Sequence, residues 1–400
     1  MEVKKGYKQT EVGIIPEDWE VKKLKETAFI YRGASPRPIE NPKWFDESSK
    51  VGWVRISDVT NSTKYLSITT QRLSEQGMKN SRYVESNNLI MSICATVGRP
   101  IITKMNVCIH DGIVVFEKPK INKEFLYYYL SSIEDQWIKK GQIGSQMNLN
   151  TTIIQNYQIP LPPLPEQTTI ANALSDIDAL IASLEKLIAK KRNIKQGAMQ
   201  QLLTEKKRLP GFSGDGKDKK VYKKTERGII PEDWELVRLG KIATVKYGKA
   251  KPKTLGSVPV IGSAGIYGWT DKPLIGYSTI VVGRKGTAGE VWLIEESCYP
   301  ADTTFFLQWK IEVNVRYVFN YLKINRLSGE NAKTTLPSLQ RQELEYFLLP
   351  FPPLPEQSAI AEVLSDMDAE IEALGKILDK YKKVKQGMMQ ELLTGKKRLI

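Results

Sequence analysis

Two stretches of the chain place apolar residues at the spacing of a helix packed along another helix. In the first, Ile170, Leu174, Ile177, Ile181, Leu184 and Ile188 step by four, three, four, three and four. In the second, Ile360, Leu364, Met367, Ile371, Leu374 and Leu378 take the same steps. A seam of period 3.5 predicts a two-helix coiled coil; an ordinary bundle helix is the blander alternative. Each stretch follows "PPLPEQ", and proline suits a first helical turn while blocking extension backwards. The same letters could serve as a ligand for an aromatic groove, but the helix that follows directly favours capping. Each helix should run about 38 residues, or about 57 Å at the rise of an α-helix.

Charge then decides how the helices pair. The first is acidic early (Glu166, Asp176, Asp178) and basic late (Lys186, Lys190, Lys191, Arg192, Lys195), and the second has the same polarity. Parallel pairing would set like beside like, so antiparallel pairing is predicted. Helix dipoles account for part of this polarity without any partner.

Elsewhere the pattern changes. The apolar runs "NLIMSICATVG", "GIVVFE" and "STIVVG" read as short strands bounded by glycine. "KEFLYYYLSS" and "VRYVFNYLKI" read as short helices, with Tyr127, Tyr128 and Tyr129 as core packing rather than a base-stacking platform.

The chain also repeats itself. "GIIPEDWE" stands at 13–20 and again at 228–235, a separation of 215 residues. "PPLPEQ" stands at 162–167 and 352–357, a separation of 190, and over half of the residues from 162–210 recur in 352–400. The closing words are "KQGAMQQLLTEKKRLP" and "KQGMMQELLTGKKRLI". Between these phrases similarity is faint: "ATVGRPIITK" resembles "GTAGEVWLIE", with Asp111 and Asp302 following at matching distances. The chain is therefore two copies of one plan: an opening phrase, a divergent globular domain and a helix. The proline, acids and tryptophan of the opening phrase read as a turn or helix start that anchors an aromatic in a core. The expected divisions are a first domain at 1–160 with its opening phrase at 7–24, a helix at 161–208 and a linker at 209–225. A second domain at 226–350 and a second helix at 351–400 complete the series. The fold class is α+β, with two mixed α/β domains separated by a long antiparallel two-helix coiled coil and an internal pseudo-twofold repeat.

Composition narrows the chemistry. The hydrophobic fraction of 41% and charged fraction of 26% are those of a globular protein. A net charge of +14 points to an anionic partner, nucleic acid before a membrane surface. The three cysteines are far from metal-ligand spacing and His110 is the lone histidine, so neither a zinc site nor a histidine-based triad is expected. No signal peptide or membrane-spanning run is visible, which makes a cytoplasmic protein the expectation. A P-loop pattern is absent. "GRKGTAGE" is explained as well by glycines at a strand turn as by a phosphate loop. The Asn/Asp-Pro-Pro-aromatic motif of an amino-methyltransferase is also missing, so chemistry is expected in a partner.

What remains suits DNA reading, since Arg and Lys contact phosphate and guanine while Asn and Gln can read adenine. The candidates in the first domain are Arg55, Lys64, Arg72, Lys79, Asn80, Arg82, Arg99, Gln146 and Asn148. Those in the second are Lys246, Lys249, Lys251, Lys253, Tyr267, Trp269, Arg284 and Lys285. They form a group; for any single one a solvated surface role is the commoner outcome.

The ordered pair of phrases, the heptad helices and the closing "KQGxMQxLLTxKKRL" resemble the specificity subunit of Type I restriction-modification systems over essentially the whole chain. The resemblance implies two target recognition domains, each reading half of a bipartite, gapped sequence in double-stranded DNA. It implies a coiled coil that sets the gap and docks two modification subunits carrying S-adenosylmethionine. Restriction subunits using ATP and Mg would join the full complex. This chain itself would bind no cofactor, catalyse nothing and touch no membrane. The competing reading is a coiled-coil scaffold that joins proteins without reading DNA sequence.

Overall fold

A computed structural model describes residues 3–140, 149–204, 207–212, 222–325, 327 and 338–399. Four helices organise it: α1 (Lys123–Ser132), α2 (Leu164–Leu202), α3 (Val315–Ile324) and α4 (Leu354–Leu392). The chain divides into unit 1, Met1–Leu184 with Ile377–Ile400, and unit 2, Glu185–Lys376. Each unit thus holds part of α2 and part of α4.

Unit 1 is built on two sheets. In the larger, Ile113–Glu117 lies between Phe29–Arg32 and Leu89–Ser92, followed by Pro100–Thr103 and Tyr65–Leu66. In the smaller, Val107–Ile109 runs parallel to Gly52–Val54 and antiparallel to Arg82–Val84. Unit 2 repeats the scheme. Ala243–Tyr247, Thr304–Trp309, Thr279–Gly283 and Val291–Ile294 pair in the same order, and Tyr299–Pro300 runs parallel to Val258–Gly262. The expected strands in "NLIMSICATVG", "GIVVFE" and "STIVVG" are all present. Leu89–Ser92 and Thr279–Gly283 are buried throughout, which is why they read as unbroken apolar runs rather than alternations. "GRKGTAGE" is the turn between two antiparallel strands, with Gly286 and Gly289 at φ 77 and 86, a region that favours glycine.

Helices α1 and α3 are the two predicted short helices. Asn122 and Asn314 cap them by accepting from the Phe125 and Tyr317 backbone N–H groups. The tyrosines 127–129 are buried in the core of unit 1.

The opening phrases form hairpins: Gly13–Pro16 pairs with Tyr7–Thr10, and Gly228–Pro231 with Tyr222–Thr225. Residues 222–225 therefore form a strand where a linker was expected at 209–225. Their lysines hid a pairing that depends on the next turn, and residues 213–221 lie outside the described ones. After each hairpin a turn drives Trp19 or Trp234 into the core.

The two helices run inside the expected ranges 161–208 and 351–400. In unit 1, Asp178 of α2 meets Lys385 of α4 at 2.6 Å. In unit 2, Lys191 meets Glu370 at 2.6 Å and Lys195 pairs with Asp368. In both units early residues of one helix meet late residues of the other, so the coil is antiparallel. Ile170, Leu174, Ile188, Ile360 and Leu364 are buried along the seam, while Ile177, Ile181, Leu184, Met367, Ile371, Leu374 and Leu378 are half-buried. The seam continues past these apolar residues through Lys191, Lys195 and Lys385, which take the next steps of the same period.

The repeated words meet inside each unit. In unit 1, fully buried Glu166 of "PPLPEQ" accepts from Trp19 Nε1 at 2.9 Å and from Arg398 Nη2 at 2.7 Å. Arg398 also donates to both carboxylate oxygens of Asp18, at 2.9 and 2.8 Å. In unit 2, Glu356 accepts from Trp234 Nε1 at 2.8 Å and Arg208 Nε at 2.8 Å, and Arg208 grips Asp233 at 3.0 and 2.7 Å. The adjacent glutamine is equally fixed: Gln167 and Gln357 accept from the Asn122 and Asn314 backbone and donate to Pro162 and Pro352. The opening phrase, the helix start and the closing arginine are thus three parts of one clasp. Unit 1 takes its arginine from residues 377–400, which follow the whole of unit 2 in sequence.

Candidate nucleic-acid interface

In each unit the chain crosses between the two sheets at a glycine. Gly33 follows Phe29–Arg32, and a Cβ there would stand 2.2 Å from the His110 carbonyl oxygen. Gly248 follows Ala243–Tyr247, and a Cβ would stand 1.9 Å from the Ala301 carbonyl oxygen. Such close backbone approach admits no side chain. Around each crossing lies a group of cationic and aromatic side chains.

In unit 1 the centre is Asp111. It accepts from Ser35 Oγ at 3.0 Å and Arg37 Nη2 at 2.9 Å and lies 3.0 Å from His110 Nε2, while Arg32 Nε donates to its carbonyl at 2.6 Å. Burial alone would raise the Asp111 pKa, but the Ser35 hydrogen bond, His110 and the arginines outweigh it and hold the carboxyl below its ordinary value. His110 Nδ1 accepts from the Gly112 N–H at 2.9 Å, which places the ring proton on Nε2 facing Asp111. Burial lowers the His110 pKa against the pull of Asp111, with Arg55, Arg37 and Arg32 adding to the lowering. Beside this group Arg82 donates to the Arg32 carbonyl at 2.7 Å and lies 4.9 Å from the Tyr31 ring. Tyr31 and Tyr83 are exposed.

In unit 2 the group is more open. Arg284 lies 5.3 Å from the Tyr247 ring and Lys251 lies 5.6 Å from the Tyr267 ring. Tyr267 and Trp269, two apart on Gly265–Thr270, share a face and are about half exposed. Lys246, Lys249, Lys251, Lys253 and Lys285 are all exposed. Asp302 is exposed between the backbones of Lys249 and Lys285, whose N–H groups bond Pro300 and Thr303.

Of the unit 2 candidates, Lys249, Arg284 and Lys285 lie at the crossing and Lys251 packs on Tyr267, whereas those of unit 1 scatter. Arg82 joins the Asp111 group, Arg55 acts electrostatically on His110, and Lys79 and Asn80 are exposed just before Arg82. Arg72 donates to the Ser49 carbonyl at 2.7 Å, and Arg99 to the Ser62 carbonyl at 3.0 Å. Lys64 is buried, bonded to Tyr128 and Ser175 at 2.9 and 3.0 Å and paired with Glu124, so its charge is neutralised inside unit 1. Gln146 and Asn148 lie outside the described residues. Arg32, Arg37, Tyr31 and Tyr83 were absent from the candidates. The signal that could have found them is the position of Asp111 and Asp302 in the faintly matching stretch, because both groups form around that position.

Among the described residues no set of three His, Cys, Asp or Glu side chains is grouped to hold a metal. No described helix is long and apolar enough to cross a membrane. Burial pushes the Cys108 and Cys298 thiols up to about 11 and about 12, out of the range of reactive thiolates.

Known proteins resemble the chain throughout. The family model described as "Type I restriction modification DNA specificity domain" matches residues 16–195 and 231–382. A putative type I restriction enzyme MjaX specificity subunit from Methanocaldococcus jannaschii is 30% identical, covering 98% of this chain and 97% of its own. The MjaVIII specificity subunit of the same organism is 26% identical over 96% of this chain and 94% of its own. Among solved structures, the S subunit of a Type I restriction-modification system from M. genitalium has the same fold. Its TM-score is 0.61 at 14% identity, with 98% of each chain covered.

Proposed function

The chain belongs to the Type I restriction-modification DNA specificity family, and from that premise we propose that it selects the DNA target for a Type I complex. One observation carries this reading. The family match falls twice along the chain, and each matched stretch contains one of the two cationic and aromatic groups at a glycine crossing. Each group would read half of a bipartite target. Arginine and lysine would hold phosphates and guanine, and exposed aromatics would pack on sugars and base edges. The side chains of the two groups differ, so the two half-sites should differ in sequence.

On this reading the chain is non-catalytic and binds, orients and spaces the DNA. S-adenosylmethionine then belongs to two modification subunits, and ATP with Mg to restriction subunits. Equivalent exposed apolar pairs on the coil support docking of two like partners: Leu187 and Ile194 on α2, Ile377 and Val384 on α4. The paired helices would set the gap between half-sites.

The test is methylation mapping in cells that carry this chain with its modification partner. The expected result is one asymmetric gapped motif. A contiguous motif, or none from an assembled complex, would refute target selection. Matched removal of one heptad from both helices should narrow the gap and leave each half unchanged, and an unchanged gap would refute the spacer role.

A further inference from the structure

The same loop bears the same aspartate in both units, yet the two carboxylates are engaged differently. In unit 1 the loop joins Val107–Ile109 to Ile113–Glu117; in unit 2 it joins Tyr299–Pro300 to Thr304–Trp309. Its backbone is held alike in both. Gly33 and Gly248 donate to Ile113 and Thr304 at 2.8 and 3.0 Å, and Ala34 and Lys249 donate to Ile109 and Pro300 at 3.1 and 3.0 Å. Ile93 and Arg284 donate to Gly112 and Thr303, both at 2.8 Å. The scaffold is common, so any difference in what the loop recognises must come from side chains.

Asp111 is occupied. Ser35, His110 and Arg37 take its two oxygens, and the Arg37 side chain, held by one nitrogen, remains 70% exposed. A guanidinium tethered by one nitrogen keeps its remaining N–H groups free and turned to solvent, suited to the paired acceptors of guanine. Asp302 is different. It makes no hydrogen bond or ion pair among the described residues, and it stands exposed beside the backbones of Lys249 and Lys285, which bond its neighbours Pro300 and Thr303. On a surface built for phosphates a free carboxylate is repelled by the backbone, unless it accepts from an exocyclic amino group of cytosine or adenine.

We propose that this loop is the base-reading element of both units, used in two modes. In unit 1 Asp111 is a positioning residue that aims Arg37 at a guanine, and in unit 2 Asp302 itself accepts from a base amino group. The assignment rests on the DNA-recognition reading above and adds to it the residues that fix one base in each half-site.

The test uses the full chain assembled with its modification subunit and compares methylation maps of wild type, Arg37→Ala, Asp111→Asn, Asp111→Glu, Asp302→Ala and Asp302→Asn. Arg37→Ala and Asp111→Asn should lower discrimination roughly 10-fold or more at one and the same guanine of one half-site. Asp111→Glu, which keeps the carboxylate, should recover part of it. Both Asp302 variants should relax or change one position in the other half-site. The untouched half serves in each case as the control for folding and assembly. A gapped wild-type motif that all variants read with unaltered discrimination overturns this assignment and leaves target selection standing. A wild-type assembly that methylates without a bipartite motif overturns both. If Asp111→Asn fails to assemble, Arg37→Ala decides for unit 1, because its exposed side chain holds no core together.

Discussion

Glu166 and Glu356 are carboxylates without exposed surface, and an arginine and an indole N–H face each one. Removing the arginine leaves an uncompensated buried charge, a loss of about 3 kcal/mol or more. Arg398→Ala should therefore lower the unfolding midpoint of unit 1, and Arg208→Ala that of unit 2. Hydrogen exchange resolved by unit would check it, and equal loss in both units from either variant would contradict the assignment. His110 makes a second prediction. Its folded pKa lies below the ordinary 6.5, so its contribution to stability is present above that pH and is lost as pH falls below it. Melting of unit 1 between pH 7 and pH 5 should fall less steeply in His110→Gln than in wild type. Unit 2, with Ala301 at the equivalent place, lacks this component. Little of this was legible in the residues alone. Lys64 reads like any surface lysine until Tyr128, Ser175 and Glu124 close around it. Asp18 and Arg398 stand 380 residues apart, and nothing local to either announces the other.

At the scale of elements, α2 and α4 were readable from periodicity because a helix is a local structure whose pattern repeats every few residues. The sheets were readable only as strands. Their order depends on pairings such as Ile113–Glu117 with Phe29–Arg32, which no short window contains. The antiparallel sense of the coil followed from charge, yet the lysines that enforce it sit beyond the apolar steps, where the pattern looks finished. Lys195 with Asp368 and Lys385 with Asp178 occupy equivalent places on the two helices, so each fixes the helix register in its own unit. Lys195→Asp or Asp368→Lys alone should weaken unit 2, and the double exchange should restore part of the loss. The coupling should be about 1 kcal/mol or less, because Asp368 is largely exposed. It should be larger for Lys385 and Asp178, where Tyr128 also donates to Asp178 at 2.7 Å. Double-mutant cycles in denaturant at low salt measure both, and zero coupling at Lys385 would dismiss it as a register lock.

For the molecule as a whole, the duplicated words mark what the two copies must keep, and the divergent stretches mark what they are free to change. "GIIPEDWE", "PPLPEQ" and "KKRL" persist because they meet in one clasp. Around Asp111 and Asp302 the backbone is retained while His110 becomes Ala301 and Arg32 gives way to Tyr247. The repeat was plain in the sequence, but its purpose was not, because equivalence between copies does not reveal which words touch. The two cationic and aromatic groups were half visible: unit 2 crowds its lysines and aromatics into a few short stretches, whereas unit 1 assembles Arg32, Arg37, Arg82 and Asp111 from distant ones.

The exchange of closing arginines also orders the birth of the protein. Unit 2 is one unbroken length of chain, and Arg208, Asp233 and Glu356 have all been synthesised before Arg398 exists. Domains generally mature in the order in which they leave the ribosome. Here that order reverses. The first 184 residues emerge early but must wait, with Glu166 and Trp19 unsealed, until translation reaches residues 377–400. The domain encoded first is the one finished last, and during that interval it is the part of the nascent chain most in need of protection.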